Sequence, residues 1–327
     1  MKPSSPSDLA VVIPAYKERF FAEALTCLSQ QTNQNFTVYV GDDASPQNLC
    51  SIAQSFSQKL RLHYHRFPEN IGSKNLVHQW KRCVDLTRNE RWIWLFSDDD
   101  LASPNCVESF YRYSAAHPAD VYRFNTHVID EFGKQKSGSL RSPDFESSEE
   151  MAYHLLYWQR GNSMPDHVFS REVYNRTGGF VYTPYAQGAD WATSILFSKD
   201  KGMYVVQDGL ISWRQSGINI SSTASAHRRE VMGGHYCFIE WVLAHFSYLR
   251  TAPRHGISFD KIHEAAFYNL HAVIAQHYKG LSPSQYTEHI DFLRRVFGFS
   301  RARSVRELAR LVLKTSVAAI KAERKAA

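Results

Sequence analysis

Short apolar runs alternate with segments of helical periodicity over the first hundred residues, and this alternation restricts the possible folds more than any other feature of the chain. The run at residues 9–13 is rich in β-branched side chains and predicts a strand buried on both faces. Further strands are predicted at residues 36–40, 60–65 and 92–96, with helices at 20–30, 49–56 and 75–86. Such alternation predicts an α/β domain whose parallel sheet is covered on both sides, with ligands beyond the carboxyl ends of the strands.

The remainder of the chain divides into a less regular part and a helical part. After residue 121 the predicted elements are a hairpin at 131–133, a helix at 189–198 and strands at 203–206 and 210–213. From residue 227 the periodicity is helical, and the preceding segment 221–225, made of Ser, Thr and Ala, is typical of a linker. The 327 residues are therefore expected to form an α/β domain at residues 1–225 and a helical region at residues 226–327.

Composition and charge exclude several classes of protein. Hydrophobic residues make up 43% of the chain and charged residues 21%, which excludes disordered and fibrous proteins. The net charge of +6 permits an anionic ligand but does not indicate nucleic acid, and no nucleic-acid partner is expected. Five cysteines without a Cys-x-x-Cys pair favour a reducing compartment. Because the first apolar run is too short for a signal peptide and no run is long enough to span a bilayer, we expect a cytoplasmic protein.

Acidic residues follow two of the predicted strands. Asp98, Asp99 and Asp100 come directly after the fourth strand, and Asp42 and Asp43 end the second. Adjacent carboxylates repel one another, so a bound cation or a row of donors is needed to offset the repulsion. Hard oxygen ligands of this kind suit Mg²⁺ or Mn²⁺. The alternatives are a solvated acidic turn that caps the next helix and, after the second strand, an ordinary turn.

Together these segments resemble the GT-A glycosyltransferases of family 2. The resemblance covers about residues 8–222 and is carried by ordered motifs: VVIPAYKE at 11–18, QQT at 30–32, VGDDAS at 40–45, ENIGSKN at 69–75, FSDDD at 96–100, TGGF at 177–180 and GADW at 188–191. It implies a Rossmann-like GT-A fold with a mixed, mostly parallel sheet, followed here by the helical C-terminal region. It also implies a nucleotide-sugar donor held through a divalent cation, Mn²⁺ or Mg²⁺.

The same resemblance assigns site residues. It places around the nucleotide-sugar Pro14, Ala15, Tyr16, Glu18, Asp43, Lys74, Asp98, Asp99 and Arg214. Within this set it implies that Asp43 contacts the base, Lys74 approaches the nucleotide or diphosphate, and Asp98 lies near the ribose. Asp99 and Asp100 are expected to hold the metal. The Arg214 guanidinium suits phosphate oxygens, and a solvated surface arginine is the alternative.

Asp190 is the candidate catalytic base. The family pattern has a carboxylate at about this distance after the Gly-Gly-Phe segment, and an acceptor hydroxyl must lose its proton as it attacks the anomeric carbon. One base and direct displacement imply inversion of the sugar. The alternatives are that Asp190 only caps the following helix, or that Asp166 is the base. The chain has Trp213-Arg214 instead of the Gln-x-x-Arg-Trp motif of processive synthases, so it is expected to add one sugar per encounter.

The last segment is strongly basic. Residues 301–325 carry eight Lys or Arg residues and two Glu residues, with an apolar side that includes Val305, Leu308, Val312 and Ile320. Such a helix suits contact with an anionic membrane surface, and a packed helix with a solvated basic face is the alternative.

These observations predict a metal-dependent, inverting, non-processive glycosyltransferase. Its acceptor is expected to be a saccharide or a lipid-linked glycan, used in building a bacterial surface polysaccharide in the cytoplasm or at the inner face of the plasma membrane. Two alternatives remain at this stage: a non-catalytic protein that binds nucleotide-sugars or glycans, and a metal-dependent phosphohydrolase or nucleotidyltransferase.

Overall fold

The computed structural model describes residues 7–138, 141–218, 226–277 and 281–326. Its strands are β1 (Leu9–Ala15), β2 (Phe36–Asp42), β3 (Leu62–Arg66), β4 (Trp92–Leu95), β5 (Leu101–Ala102), β6 (Val121–Ile129), β7 (Gln135–Ser137), β8 (Phe145–Glu146), β9 (His167–Ser170) and β10 (Met203–Arg214). Its α-helices are α1 (Phe21–Ser29), α2 (Leu49–Ser55), α3 (Leu76–Val84), α4 (Cys106–Ala116), α5 (Ser148–Leu156), α6 (Arg171–Thr177), α7 (Ala189–Phe197), α8 (Arg228–His245), α9 (Phe259–His277), α10 (Pro283–Phe297) and α11 (Arg301–Ala326).

The strands form one mixed sheet in the order β3-β2-β1-β4-β9-β6-β10-β5, with β7 on β6 and β8 on β10. Strands β3, β2, β1 and β4 are mutually parallel, as are β6 and β10, whereas β9 runs antiparallel to both of its neighbours. The predicted α/β class and the mixed, mostly parallel sheet are therefore confirmed. Because β1, β2 and β4 run in the same direction, their carboxyl ends meet at one edge and bring the acidic strand ends together.

Alternate side chains of the central strands build two cores, one on each face of the sheet. In β1, Leu9, Val11 and Ile13 belong to one core, while Ala10 and Val12 belong to the other, as the two-residue period of a strand requires. The core that contains Val12 continues into buried side chains of α8, α9 and α10. The helices after residue 226 thus share a core with the sheet, and the division at residue 225 stays a prediction from sequence.

Strand β6 lies in the middle of the sheet, in a region where the sequence indicated an irregular pattern. Arg123 and Asn125, both buried, interrupt its apolar run, and this removes the signal that a buried strand normally gives. Strand β10 is one strand where two were predicted, with a register shift between Val206 and Leu210. None of the described helices is long and apolar enough to cross a membrane.

Candidate active site

A cleft of about 1430 Å³ opens at the carboxyl ends of β1, β2 and β4. Ligand sites for one small molecule usually occupy about 300–1,000 Å³, so this cleft has room for more than one. Among the residues predicted for the site, those that line it are Pro14, Ala15, Tyr16, Glu18, Asp43, Asp98, Asp99, Asp100, Asp166 and Asp190. Lys74 and Arg214 are not among the lining residues.

Asp98 joins the end of β4 to the end of β1. Its Oδ2 accepts hydrogen bonds of 2.9 Å from the backbone N–H groups of both Tyr16 and Lys17. The Lys17 ammonium also lies 3.4 Å from Asp98 Oδ1 and forms an ion pair with Asp99. Burial raises the pKa of Asp98, although the Lys17 charge opposes this shift. The segment Ser97–Asp100, called the acid loop below, is therefore fixed against the end of β1 and is already paired with one positive charge, that of Lys17.

Arg214 holds the acid loop in place through hydrogen bonds to two of its residues. Its backbone N–H donates to Asp100 Oδ1 at 2.7 Å, and its Nε donates to the Asp99 carbonyl at 2.8 Å. Its Nη2 donates to Glu23 at 2.7 Å, and its guanidinium lies 4.3 Å from the centre of the Phe20 ring. Arg214 is fully buried, so the solvated surface arginine considered from sequence is wrong. In this arrangement Arg214 positions the acid loop.

The chemistry of the acid loop fits a divalent cation. Burial raises the pKa of Asp100 well above its ordinary value, and the neighbouring Asp99 charge adds to the shift, so a bound cation would relieve an unfavourable concentration of negative charge. Within the described residues no three His, Cys, Asp or Glu side chains surround a common metal position. Asp99 and Asp100 therefore fit a hard cation that completes its shell with phosphate oxygens and water.

Asp43 holds the adjoining loop in place. Its two oxygens accept hydrogen bonds from the backbone N–H groups of Ile71, at 2.9 Å, and Gly72, at 2.8 Å, and it forms an ion pair with Arg82. A Cβ at Gly72 would lie only 2.6 Å from Asp43 Oδ2, which explains the need for glycine at this close approach. Lys74 follows on the exposed side of the same loop.

Asp190 and Asp166 lie in the same wall of the cleft. Asp190 is in the first turn of α7, whose N-cap is Gly188 in the left-handed conformation with a φ of 73°. Burial raises the pKa of Asp190 to about 7, and the Asp166 charge adds to the shift. Asp166 is fully buried, and its carboxylate accepts hydrogen bonds from the Ser163 hydroxyl, at 2.5 Å, and the Ser163 N–H, at 3.0 Å. Asp190 is thus the more accessible of the two candidate bases.

Two charged residues of this cleft received no role from the sequence. Lys17 is in the first motif, but only the structure shows its contact with the acid loop. Arg123 points from β6 toward Asp166, with Nε 3.9 Å from Asp166 Oδ2, and its Nη1 donates to Ser142 at 3.2 Å. The sequence around a charged residue within a strand does not indicate its partner. The contact between Arg123 and Asp166 could therefore be identified only from the fold.

Solved structures share the fold. The chain is similar to S. aureus TarS 1–349 in complex with UDP-GlcNAc, with a TM-score of 0.64 and 15% identity, over 88% of this chain and 81% of that one. It is also similar to the mannosyltransferase PcManGT from Pyrobaculum calidifontis in complex with GDP-Man and Mn²⁺, with a TM-score of 0.50 and 13% identity, over 96% and 87%. These similarities confirm the GT-A fold.

Sequence comparison identifies the family. The chain is 30% identical over 100 residues to a chondroitin synthase of Pasteurella multocida (strain Pm70) and 26% identical over 124 residues to the glycosyltransferase GlyG of Streptococcus pneumoniae serotype 4 (strain ATCC BAA-334 / TIGR4). These matches cover 27% and 38% of this chain, and the chain spans 10% and 40% of the lengths of those relatives. The family model described as Glycosyl transferase family 2 matches residues 10–180, which is more than half of the chain. The chain therefore belongs to glycosyl transferase family 2.

Proposed function

We propose that the chain transfers one sugar from a nucleotide-diphosphate donor to a saccharide hydroxyl, with inversion at the anomeric carbon. The observation that carries this proposal is that one cleft holds both a buried acid loop suited to a metal-bound diphosphate and a separate carboxyl, Asp190, with a pKa of about 7. TarS bound to UDP-GlcNAc and PcManGT bound to GDP-Man and Mn²⁺ have the same fold, which supports the donor class and the cation.

On the donor side, the cleft edge formed by Pro14, Ala15, Tyr16 and Glu18 receives the nucleotide, with Asp98 near the ribose. Asp43 acts at the base by fixing the loop at Ile71 and Gly72. Asp99 and Asp100 would hold Mn²⁺ or Mg²⁺, which supplies Lewis-acid stabilisation of the departing diphosphate. Direct contacts from Lys74 and Arg214 to the donor stay predictions.

On the acceptor side, Asp190 takes the proton of the attacking hydroxyl. The acceptor oxygen forms a bond to the anomeric carbon while the bond from that carbon to the diphosphate oxygen breaks, and the proton passes to the Asp190 carboxylate. A pKa near 7 suits this role, because the group is then largely ionised at slightly alkaline pH yet basic enough to accept a proton. A single displacement of this kind inverts the sugar.

The direct test is sugar transfer from UDP-, GDP- and dTDP-linked donors with Mn²⁺, comparing the wild type with Asp190→Asn. The variant is expected to lose about 10²–10⁴-fold in rate while it still binds the nucleotide. Asp208→Asn is the control, because Asp208 is an exposed acid paired with Arg112 outside the cleft. Normal transfer by Asp190→Asn would remove the assigned base. Release of a nucleoside monophosphate would favour a phosphohydrolase, and binding without turnover would favour a non-catalytic binder.

The place of action is part of the proposal. In α11, Leu308 and Leu311 are buried, whereas Val305 and Leu313 are 46% and 66% exposed beside basic residues. Exposed apolar side chains within a basic helix suit peripheral contact with an anionic membrane, and thus a lipid-linked acceptor at the cytoplasmic face of the plasma membrane. Val312 is in the same helix, and the Ile320 side chain lies outside the described residues. The match to a chondroitin synthase supports a role in polysaccharide synthesis.

A further inference from the structure

The wall of the cleft next to Asp190 is aromatic. Trp191 follows Asp190 on α7, and the Trp158 ring meets it edge to face, with the ring centres 5.1 Å apart at 71°. Trp158 is 43% exposed, which is unusual for the largest apolar side chain. Tyr185 lines the same side and stacks on His227, with the ring centres 5.1 Å apart at 28°. Trp158, Tyr185 and Trp191 are called the aromatic wall below.

The aromatic wall is held in a backbone conformation that costs free energy. Trp158 and Tyr185 have φ values of 59° and 56°, in the left-handed region that non-glycine residues rarely adopt. Such conformations persist only where the surrounding structure imposes them, and they concentrate at functional sites. Here Gly234 of α8 is so close to the Pro184 carbonyl that a Cβ would lie 2.0 Å from its oxygen. Helix α8 therefore packs directly behind the turn that presents Tyr185.

We propose that the aromatic wall is the acceptor subsite and that it binds a saccharide by stacking the C–H face of a sugar ring on Trp158, so that a hydroxyl reaches Asp190. This inference rests on the proposed function and deepens it, because it specifies the acceptor as a glycan that is recognised through the apolar face of a sugar ring. It also gives the C-terminal helices a part in the site, through the contacts that α8 makes with Pro184 and Trp191.

The polar surroundings of the wall favour a sugar over a lipid chain. Arg160 and Asn162 line the cleft beside Trp158, and the Arg160 Nε is 3.2 Å from the Glu146 carboxylate. A sugar ring has an apolar C–H face and hydroxyl groups at its edge, which matches an exposed indole with a polar rim. The cleft volume of about 1430 Å³ leaves room for a donor and a saccharide together.

Saturation-transfer NMR with chitotriose, maltotriose, mannotriose and galactotriose tests the inference, in the presence of diamagnetic Mg²⁺ and the nucleoside diphosphate that most raises the melting temperature. We expect at least one trisaccharide to bind the wild type, Trp158→Ala to weaken that binding at least tenfold, and Trp158→Phe to retain part of it. Phe132→Ala is the control, because Phe132 is 85% exposed and lies outside the cleft. The thermal shift caused by the nucleotide should be the same in all four proteins.

Two results would overturn the inference: unchanged saccharide binding in both Trp158 variants, or no binding of any trisaccharide by a wild type that binds the nucleotide. The failure of the proposed function looks different. A wild type that binds a trisaccharide through Trp158 but binds no nucleotide would support the aromatic wall and contradict glycosyl transfer.

Discussion

At the scale of single residues, Lys17 reduces the negative charge of the acid loop. Burial lowers the pKa of its ammonium, but the charges of Asp98 and Asp99 outweigh this and the net shift is upward, so Lys17 is protonated at neutral pH. It therefore neutralises part of the negative charge that a divalent cation would otherwise meet. Lys17 and the cation compete for the same carboxylates.

Replacing Lys17 by glutamine should therefore tighten the binding of Mn²⁺ to the protein without nucleotide. We expect a gain of about tenfold, equivalent to ~1.4 kcal/mol, because the cation no longer displaces an ammonium. Free Mn²⁺ measured by electron paramagnetic resonance gives the affinity directly. Lys81→Gln is the matched control, since Lys81 is an exposed lysine on α3 that forms an ion pair with Asp85. Weaker or unchanged Mn²⁺ binding in Lys17→Gln would contradict the competition.

Asp190, the proposed base, makes the stability of the chain depend on pH. Its pKa of about 7 in the folded chain exceeds the ordinary value of 3.8, so the folded state binds the proton more tightly and loses stability as pH rises from about 4 through 7. Asp190→Asn should thus melt at a higher temperature than the wild type at pH 8, by about 1–2 °C for each kcal/mol recovered, and the gain should shrink toward pH 5. Calorimetry of both proteins at several pH values measures this difference in melting temperature. A gain that does not depend on pH would argue against a raised pKa.

The residues that bear charge at strand ends could be predicted from the sequence, but their partners could not. Asp98 belongs to a motif that follows a strand, and Asp190 belongs to one that begins a helix. Both positions can be predicted from the local sequence pattern. Arg214 lies at the end of a strand. The direction of its side chain, however, depends on the register of β10 with β6 and on a hydrogen bond to Glu23, which is nearly two hundred residues away. Contacts of that range leave no local signal.

At the scale of elements, helix α8 makes a tight contact with the turn before α7, which carries Tyr185 of the aromatic wall. Gly233 and Gly234 are adjacent in α8 but differ completely in surroundings. A Cβ at Gly234 would lie 2.0 Å from the Pro184 oxygen and 2.8 Å from the Gln187 Cβ, whereas a Cβ at Gly233 would meet nothing within 4 Å. The two glycines therefore allow the effect of an added Cβ to be compared at a packed and an open position of the same helix.

Gly234→Ala should destabilise the chain by about 1–3 kcal/mol, the usual effect of forcing extra volume into a packed contact. Gly233→Ala should instead stabilise it by about 0.5–1 kcal/mol, because alanine favours a helix interior over glycine. Urea denaturation of both variants provides the free energies of unfolding. Equal effects of the two substitutions would mean that α8 does not pack against Pro184 as described.

The accuracy of the sequence prediction for each element followed the strength of its local pattern. Strands β1, β2 and β4 are continuous apolar runs and were predicted within a few residues. For β6 the sequence predicted only the hairpin at 131–133, which joins β6 to β7, because Arg123 and Asn125 break the apolar run of the strand. The burial of these two residues is made possible by hydrogen bonds to Ser142, Gly161 and Gln207. Helix α5 has a capping box at Ser147 and Glu150 that could have revealed its start.

At the scale of the whole molecule, the C-terminal helices are a structural layer. Buried side chains of α8 and α9, among them Phe238, Ile239 and Ala265, belong to the same core as Val12 and Ile93 of the sheet. Removal of this layer would expose one face of the core to water, at about 25 cal/mol for each Å² of apolar surface.

A chain that ends at residue 225 should therefore fail to unfold cooperatively. A chain that ends at residue 313 is the comparison, because it keeps the buried Leu308 and Leu311 and should melt like the full chain. Near-ultraviolet circular dichroism and calorimetry show whether each of the two chains unfolds cooperatively. A cooperative melt for residues 1–225 would instead support two independent domains.

The two sides of the cleft come from different stretches of the chain: the donor edge and acid loop from residues 14–100, and the aromatic wall from residues 158–191 with α8 behind it. On the proposed function, we expect substitutions at Trp158 or Tyr185 to change acceptor preference, while the contacts of the acid loop with Lys17 and Arg214 are kept. Acceptor preference would then be free to diverge during evolution while donor preference is retained.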